Sequence, residues 1–136
     1  MNAMTEMTED IADTMVRIAM DAMRNSYIDH DGIAAGACVL SSDGTLYNGC
    51  RIDHPIPYLS VSAEMAAMIK AIVDGKREFD GIAIIADIDG FYVPDENTYE
   101  FLLEMGVPEI VFANLDGDVK IMALADVEPY RPRRRD

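Results

Sequence analysis

The stretch GCRIDHPIPYLSVSAEMAAMIKAIVDGKREFDGIAI, residues 49–84, decides how this chain is read. It opens on a Gly-Cys pair that closes a strand signal. It then crosses an irregular link containing Pro55 and Pro57 and enters a run, 62–73, that is apolar almost all round. Only Glu64 and Lys70 interrupt that run with charge. A helix apolar on nearly every side belongs at the centre of a domain. Gly75 stands where such a helix would be capped. The apolar run 81–86 that follows is too short for a helix and is read as a buried strand.

Upstream, residues 33–40 and 45–51 flank Ser41-Ser42-Asp43-Gly44, a hairpin signal. Gly36 inside the first of these strands predicts a bulge or a close backbone approach. Residues 5–24 read as an amphipathic helix. Met4, Met7, Ile11, Met15, Ile18 and Ala22 recur at three- and four-residue steps and define its core face. Glu6, Glu9 and Asp10 near its start and Arg24 at its end suit the helix dipole.

Downstream, the loop DIDGFYVPDEN leads into a helix over 98–105, closed by Gly106. Strands over 109–114 and 119–124 flank Asp116-Gly117. The order α-β-β-α-β-α-β-β predicts a mixed sheet packed by helices, a three-layer α/β domain. Residues 1–130 are expected to form that single domain and 131–136 a basic tail.

The chain has 136 residues, half of them hydrophobic, which suits one domain with one core. Cys38 and Cys50 fall on neighbouring strands of the hairpin. The Asp43-Gly44 turn sets them off register, so two buried thiols are expected rather than a bridge. A reducing, cytoplasmic location follows. The acidic start argues against a secretory signal. No apolar run reaches 18 residues, so no membrane-spanning helix is expected. The net charge is −14, and four of the 11 basic residues are Arg131, Arg133, Arg134 and Arg135. That leaves a strongly acidic body, which repels phosphate backbones and argues against general nucleic-acid binding unless the tail alone does it.

Several motifs lie in an order that resembles the cytidine deaminases. Ile33-Ala34-Ala35-Gly36-Ala37-Cys38-Val39-Leu40 is similar to that family's first strand. Asp43-Gly44-Thr45-Leu46-Tyr47-Asn48-Gly49-Cys50 is similar to its Asp-Gly hairpin ending in Gly-Cys. Arg51-Ile52-Asp53-His54 takes the place of its Asn-(Ile/Val)-Glu-Asn. Ser62-Ala63-Glu64 falls on its Cys-Ala-Glu, and Pro94-Asp95-Glu96-Asn97-Thr98 on its Pro-Cys-x-x-Cys. Phe79-Asp80-Gly81-Ile82-Ala83-Ile84 fits the strand after the helix, and Asp126-Val127-Glu128-Pro129-Tyr130 fits the terminal stretch. The similarity runs from about residue 23 to 130.

The resemblance implies a three-layer α/β/α fold with a mixed five-stranded sheet. It also implies where chemistry would sit. In zinc deaminases a metal-bound hydroxide attacks the ring carbon, and a glutamate that is not a ligand moves the proton. That glutamate is here Glu64. The ligand positions hold Ser62, Asp95 and Thr98 instead of cysteines. Zinc wants thiolate or imidazole from at least three residues. The expectation is therefore no zinc, no other cofactor and no conventional deamination.

At the ribose-binding positions Asp53 keeps an acid and Arg51 replaces an asparagine. Arg51 could hold an anionic ligand bidentately or simply pair with Asp53. Ile33 occupies the ring-stacking position. Ser62, Ala63 and Thr98 complete the expected ligand-binding set.

The residues leave further alternatives open. Without the resemblance, Glu64 reads as a first-turn acid partly exposed to solvent. Ser62, Asp95, Glu64 and Glu96 supply oxygens that suit a hard cation, or form an acidic loop in solvent. Phe91, Tyr92 and Tyr99 could fill the space a metal would need. The expected function is binding of a nucleoside- or nucleotide-like small molecule. The alternative is a zinc-independent hydrolase using Glu64 and Asp95 as an acid–base pair. The resemblance also implies a homo-oligomer, a tetramer or a dimer.

Overall fold

A computed structural model describes residues 7–29 and 32–129. The basic tail and Met4 lie outside the described residues. The elements are α1 (Glu9–Met23), β1 (Ala35–Ser41), β2 (Leu46–Cys50), α2 (Ala63–Val73), β3 (Phe79–Ala86), α3 (Glu96–Glu104), β4 (Glu109–Ala113) and β5 (Val119–Ala123), with single 3-10 turns at Pro57–Leu59 and Leu124–Asp126. The five strands form one mixed sheet in the order β2-β1-β3-β4-β5. Only β3 and β4 run parallel, and α3 makes the crossover between them. The other three pairings are antiparallel. Short turns can join antiparallel neighbours, whereas the parallel pair needs a longer connection.

Alternation along the strands sends side chains to two cores. Val39, Ile82, Ile84, Ile110 and Phe112 face one way, with Met68 of α2 and Leu102 of α3. Cys38, Leu40, Ala83, Ile85 and Val111 face the other, under Met15 and Ala19 of α1. Three layers result, with α1 on one face of the sheet and α2 and α3 on the other.

Gly36 provides a close approach rather than a bulge. Its pairings to β2 and β3 run in register, and a Cβ there would overlap the Ala19 carbonyl oxygen of α1. The register shift in β1 comes later, at Leu40/Ser41. Gly49 does the same on the other side of the sheet, where a Cβ would overlap the Ala67 backbone nitrogen of α2.

That close seating explains where the α1 face departs from expectation. Its buried positions are Ala12, Met15, Val16, Ala19 and Ala22, while Ile11 and Ile18 sit at the flanks. Small alanines let the helix reach the strand backbone, so the contact line follows size rather than hydrophobicity alone.

α2 is also more exposed than its sequence predicts. Ala63, Glu64, Ala67, Met68 and Ala71 are buried, but Ile69 is 45% and Val73 82% exposed. Gly75 follows the helix with φ of 90°, the left-handed cap expected there. Cys38 pairs with Asn48, and Cys50 with Gly36, so the thiols are off register and both are free. Cys38 is buried and its thiol is pushed up to about 12 by burial; Cys50 is only half-buried, which corrects the expectation of two buried thiols.

Candidate functional site

The site forms where α2 and α3 both begin. Ser62 caps α2: its Oγ accepts the Met65 N–H at 3.1 Å. Asp95 caps α3: its Oδ1 accepts the Thr98 N–H at 2.8 Å. Ser, Thr and Asp are strong caps because a side-chain oxygen satisfies an otherwise unpaired helical N–H. The two starts meet through a hydrogen bond of 3.1 Å between Ser62 Oγ and Thr98 Oγ1. Residues 36 apart in sequence, expected at equivalent ligand positions, are thus in contact.

Glu64 lies in the first turn of α2 and is only 1% exposed. This corrects the reading of a partly solvated acid. Neither of its carboxylate oxygens has a hydrogen-bond partner. Burial raises its pKa from 4.5 to about 7, and the nearby Asp95 charge raises it further; its own backbone N–H and the Arg51 guanidinium pull the other way. Glu64 and Asp95 therefore feel each other, Glu64 deep and Asp95 exposed at the rim.

Arg51 follows β2 and reaches the same place. One guanidinium nitrogen donates to Tyr92 Oη at 3.0 Å, and another meets Asp53 Oδ1 at 3.4 Å. Both sequence alternatives for Arg51 bear on this geometry: the pair with Asp53 forms, and the cation still stands at the mouth of the site. Asp53 also accepts from Ser60 Oγ at 3.4 Å. The Tyr92 phenol is raised by burial first, then by the Glu64 charge. Tyr92 thus belongs to the cluster as the partner of Arg51.

The remaining expected residues are placed less directly. Ala63 is buried in the core beneath the site. Ile33 is half-buried and packs on the same core as Phe91, Tyr92 and Val93. Phe91 stacks at a tilt on Phe112, with centroids 5.9 Å apart, and Tyr99 is buried with its hydroxyl donating to the Ala125 carbonyl at 3.4 Å. These two aromatics serve the core. Sequence reasoning missed Ser60 altogether. It also offered no means of joining Tyr92 to Arg51, because that bond spans 41 positions.

Among the described residues no group of three His, Cys, Asp or Glu could hold a metal ion. A surface cavity of ≈ 540 Å³ lies elsewhere, between α1 and the β4–β5 turn, and is lined by Asp10, Asp13, Arg17, Asn114 and Asp118 among others. It is open and holds none of the convergent groups just described. The polar groups described above converge at the helix starts instead.

The fold and the paired helix starts define a deaminase-type α/β/α domain. A cytidine deaminase of Sporosarcina psychrophila is 31% identical over 110 residues, 79% of this chain and 81% of that protein. One from Halalkalibacterium halodurans is 25% identical over 117 residues, 85% and 89% of the two chains. The crystal structure of cytidine deaminase from Burkholderia pseudomallei superposes with a TM-score of 0.80 at 27% identity, covering 88% of this chain and 95% of that one. No family model matches the sequence. On the strength of the first relative, this chain belongs to the cytidine deaminase family. Among the described residues no helix is long and apolar enough to cross a membrane.

Proposed function

We propose that this protein is a metal-free member of the family that holds a nucleoside- or nucleotide-like small molecule and performs no zinc-dependent deamination. The observation that carries this reading is the hydrogen bond between Ser62 and Thr98. Zinc does not fit these residues. Two neutral hydroxyls bonded to each other and one carboxylate that caps a helix supply neither thiolate nor imidazole. The scaffold that would present a ligand is nonetheless kept: Glu64 is buried and unpartnered, and Arg51, Asp53 and Tyr92 frame the mouth.

The relatives are named for cytidine, which supports a nucleoside-like ligand here. Ser62, Thr98 and Glu64 line its deep end, Arg51 and Asp53 its outer end, and Ile33 its side. The chain acts as a homo-oligomer. Tyr58 is 84% exposed, and Tyr27, Ile28, Ile52, Ile56 and Leu59 are exposed as well, with Ile52 between Arg51 and Asp53 and bridged to Tyr27; a second copy would cover such apolar side chains. Two free thiols suit a reducing cytoplasm.

Metal analysis of the purified protein, followed by a thermal-shift screen of nucleosides, nucleotides and free bases, tests the reading. Zinc should fall far below one atom per chain, and at least one nucleoside-like compound should raise the melting temperature, because a ligand of the folded state stabilises by mass action. Stoichiometric zinc bound by the chain would overturn the metal-free half. A screen without a stabilising compound would overturn the other.

A further inference from the structure

The mouth of the site is bridged by side chains. Arg51 comes off the end of β2, and Tyr92 stands in the loop between β3 and α3. The bond of 3.0 Å from the Arg51 guanidinium to Tyr92 Oη joins these two walls. The row continues on the β2 side. Arg51 meets Asp53 Oδ1 at 3.4 Å, and the same oxygen accepts from Ser60 Oγ. Backbone bridges from Ile52 to Tyr27 and to Val61 hold the chain beneath that row. The result is a strap, fixed on one side by paired backbone and on the other by a single phenol.

The strap stands next to Glu64. The Arg51 guanidinium acts on the Glu64 carboxylate, and the Glu64 charge acts in turn on the Tyr92 phenol. Behind the strap both Glu64 oxygens are buried. The site is thus enclosed at its deep end and crossed at its mouth, so a ligand enters only when the bridge between Arg51 and Tyr92 opens.

We propose that the Arg51–Tyr92 bridge selects by size: it re-forms over a single unglycosylated heterocycle of nucleobase dimensions and discriminates against the same ring carrying a pentose or a pentose phosphate. This deepens the small-molecule reading above, names the class of ligand and rests on that reading. A bare ring is covered once the bridge closes. A pentose projects from the ring toward the mouth and keeps Arg51 and Tyr92 apart for as long as the ligand stays bound. Losing a hydrogen bond from a charged donor costs about tenfold in affinity. A phosphate brings a second penalty. Asp95 is exposed at the rim, and Arg51 is already paired with Asp53, so a further anion meets repulsion there.

Calorimetric titration of the full chain with cytosine, cytidine and cytidine 5′-monophosphate tests the proposal. Affinity should fall in that order, by about tenfold at the first step. Tyr92→Phe keeps the ring and removes only the oxygen that accepts from Arg51. It should bring cytidine close to cytosine, and Arg51→Met should do the same by removing the donor. If either residue served packing alone, its variant would weaken all three compounds in proportion and leave their ratios unchanged, which would overturn the role of the bridge. Cytidine binding to the unaltered chain as tightly as cytosine would overturn the size selection and leave the small-molecule reading standing. Absence of binding by all three probes would sink both.

Discussion

The starts of α1 and α2 are built alike and placed differently. Thr8 caps α1 by accepting the Ile11 N–H at 3.2 Å, and Ser62 caps α2 by accepting the Met65 N–H at 3.1 Å. Each helix carries acid in its first turn, Glu9 and Asp10 in one and Glu64 in the other. The α1 acids are exposed; Glu64 is buried. An acid near a helix N-terminus gains about 0.3–1 kcal/mol from the dipole, and at α1 no burial opposes that gain. At α2 burial outweighs it, which is why the Glu64 pKa rises instead of falling. The same local sequence logic thus gives a stabilising surface charge at one helix and a strained internal one at the other. A strained charge beside a cluster of polar groups is the mark of a binding or reactive site.

The largest effect that would break this comparison is in the pH dependence of stability. Glu64 ionises near 4.5 in the unfolded chain and near 7 in the folded protein. Between those values the folded state holds the extra proton, so stability falls as pH rises through the window. The full cost, about 3 kcal/mol from the shift, is present above pH 7 and absent below 4.5. Glu64→Gln should remove that component from urea-unfolding curves taken at pH 4.5, 6 and 8. An unchanged pH profile in the variant would mean that Glu64 is not the group responsible.

Next in size come the caps. Ser62→Ala should cost about 1–2 kcal/mol and Thr8→Ala about 1 kcal/mol, because Ser62 also bonds Thr98 and Thr8 caps only its own helix. Equal losses in equilibrium unfolding would show that the bridge between α2 and α3 contributes nothing. Glu9→Gln should change stability least, by about 0.5 kcal/mol or less and only at low salt. A larger loss, or one that persists at high salt, would mean that the α1 acid is not simply a surface charge.

Much of the fold was legible because local signals agreed. The Asp43-Gly44 turn, the apolar run 81–86 and the glycine after α2 each specify backbone geometry, and all eight helices and strands stand in the expected order. What periodicity could not give was the neighbour. It marked Ile11 and Ile18 as core in α1, yet the strand backbone at Gly36 selects Ala19 for the closest approach. It read α2 as central and buried on most sides, yet Ile69 and Val73 face outward.

The site was legible in its residue list and not in its contacts. Ser62 and Thr98 were both expected, but their bond depends on how two helices converge. Tyr92 was expected as filling and is instead tied to Arg51 across the chain. Burial of Glu64 could not be read from its position in a first turn, because that position is equally common at a surface, as Glu9 illustrates.

The two close approaches at Gly36 and Gly49 carry a consequence for motion. At each point a helix rests on strand backbone with no side chain between, α1 against β1 and α2 against β2, from opposite faces of one hairpin. The hairpin works as a clamped plate. Neither helix can slide without carrying the plate, and the plate cannot flex without pressing on the other helix. A disturbance on the far side of the sheet, such as Gly36→Ala lifting α1, would therefore reach the start of α2 mechanically and loosen Ser62 and Glu64, though it touches neither.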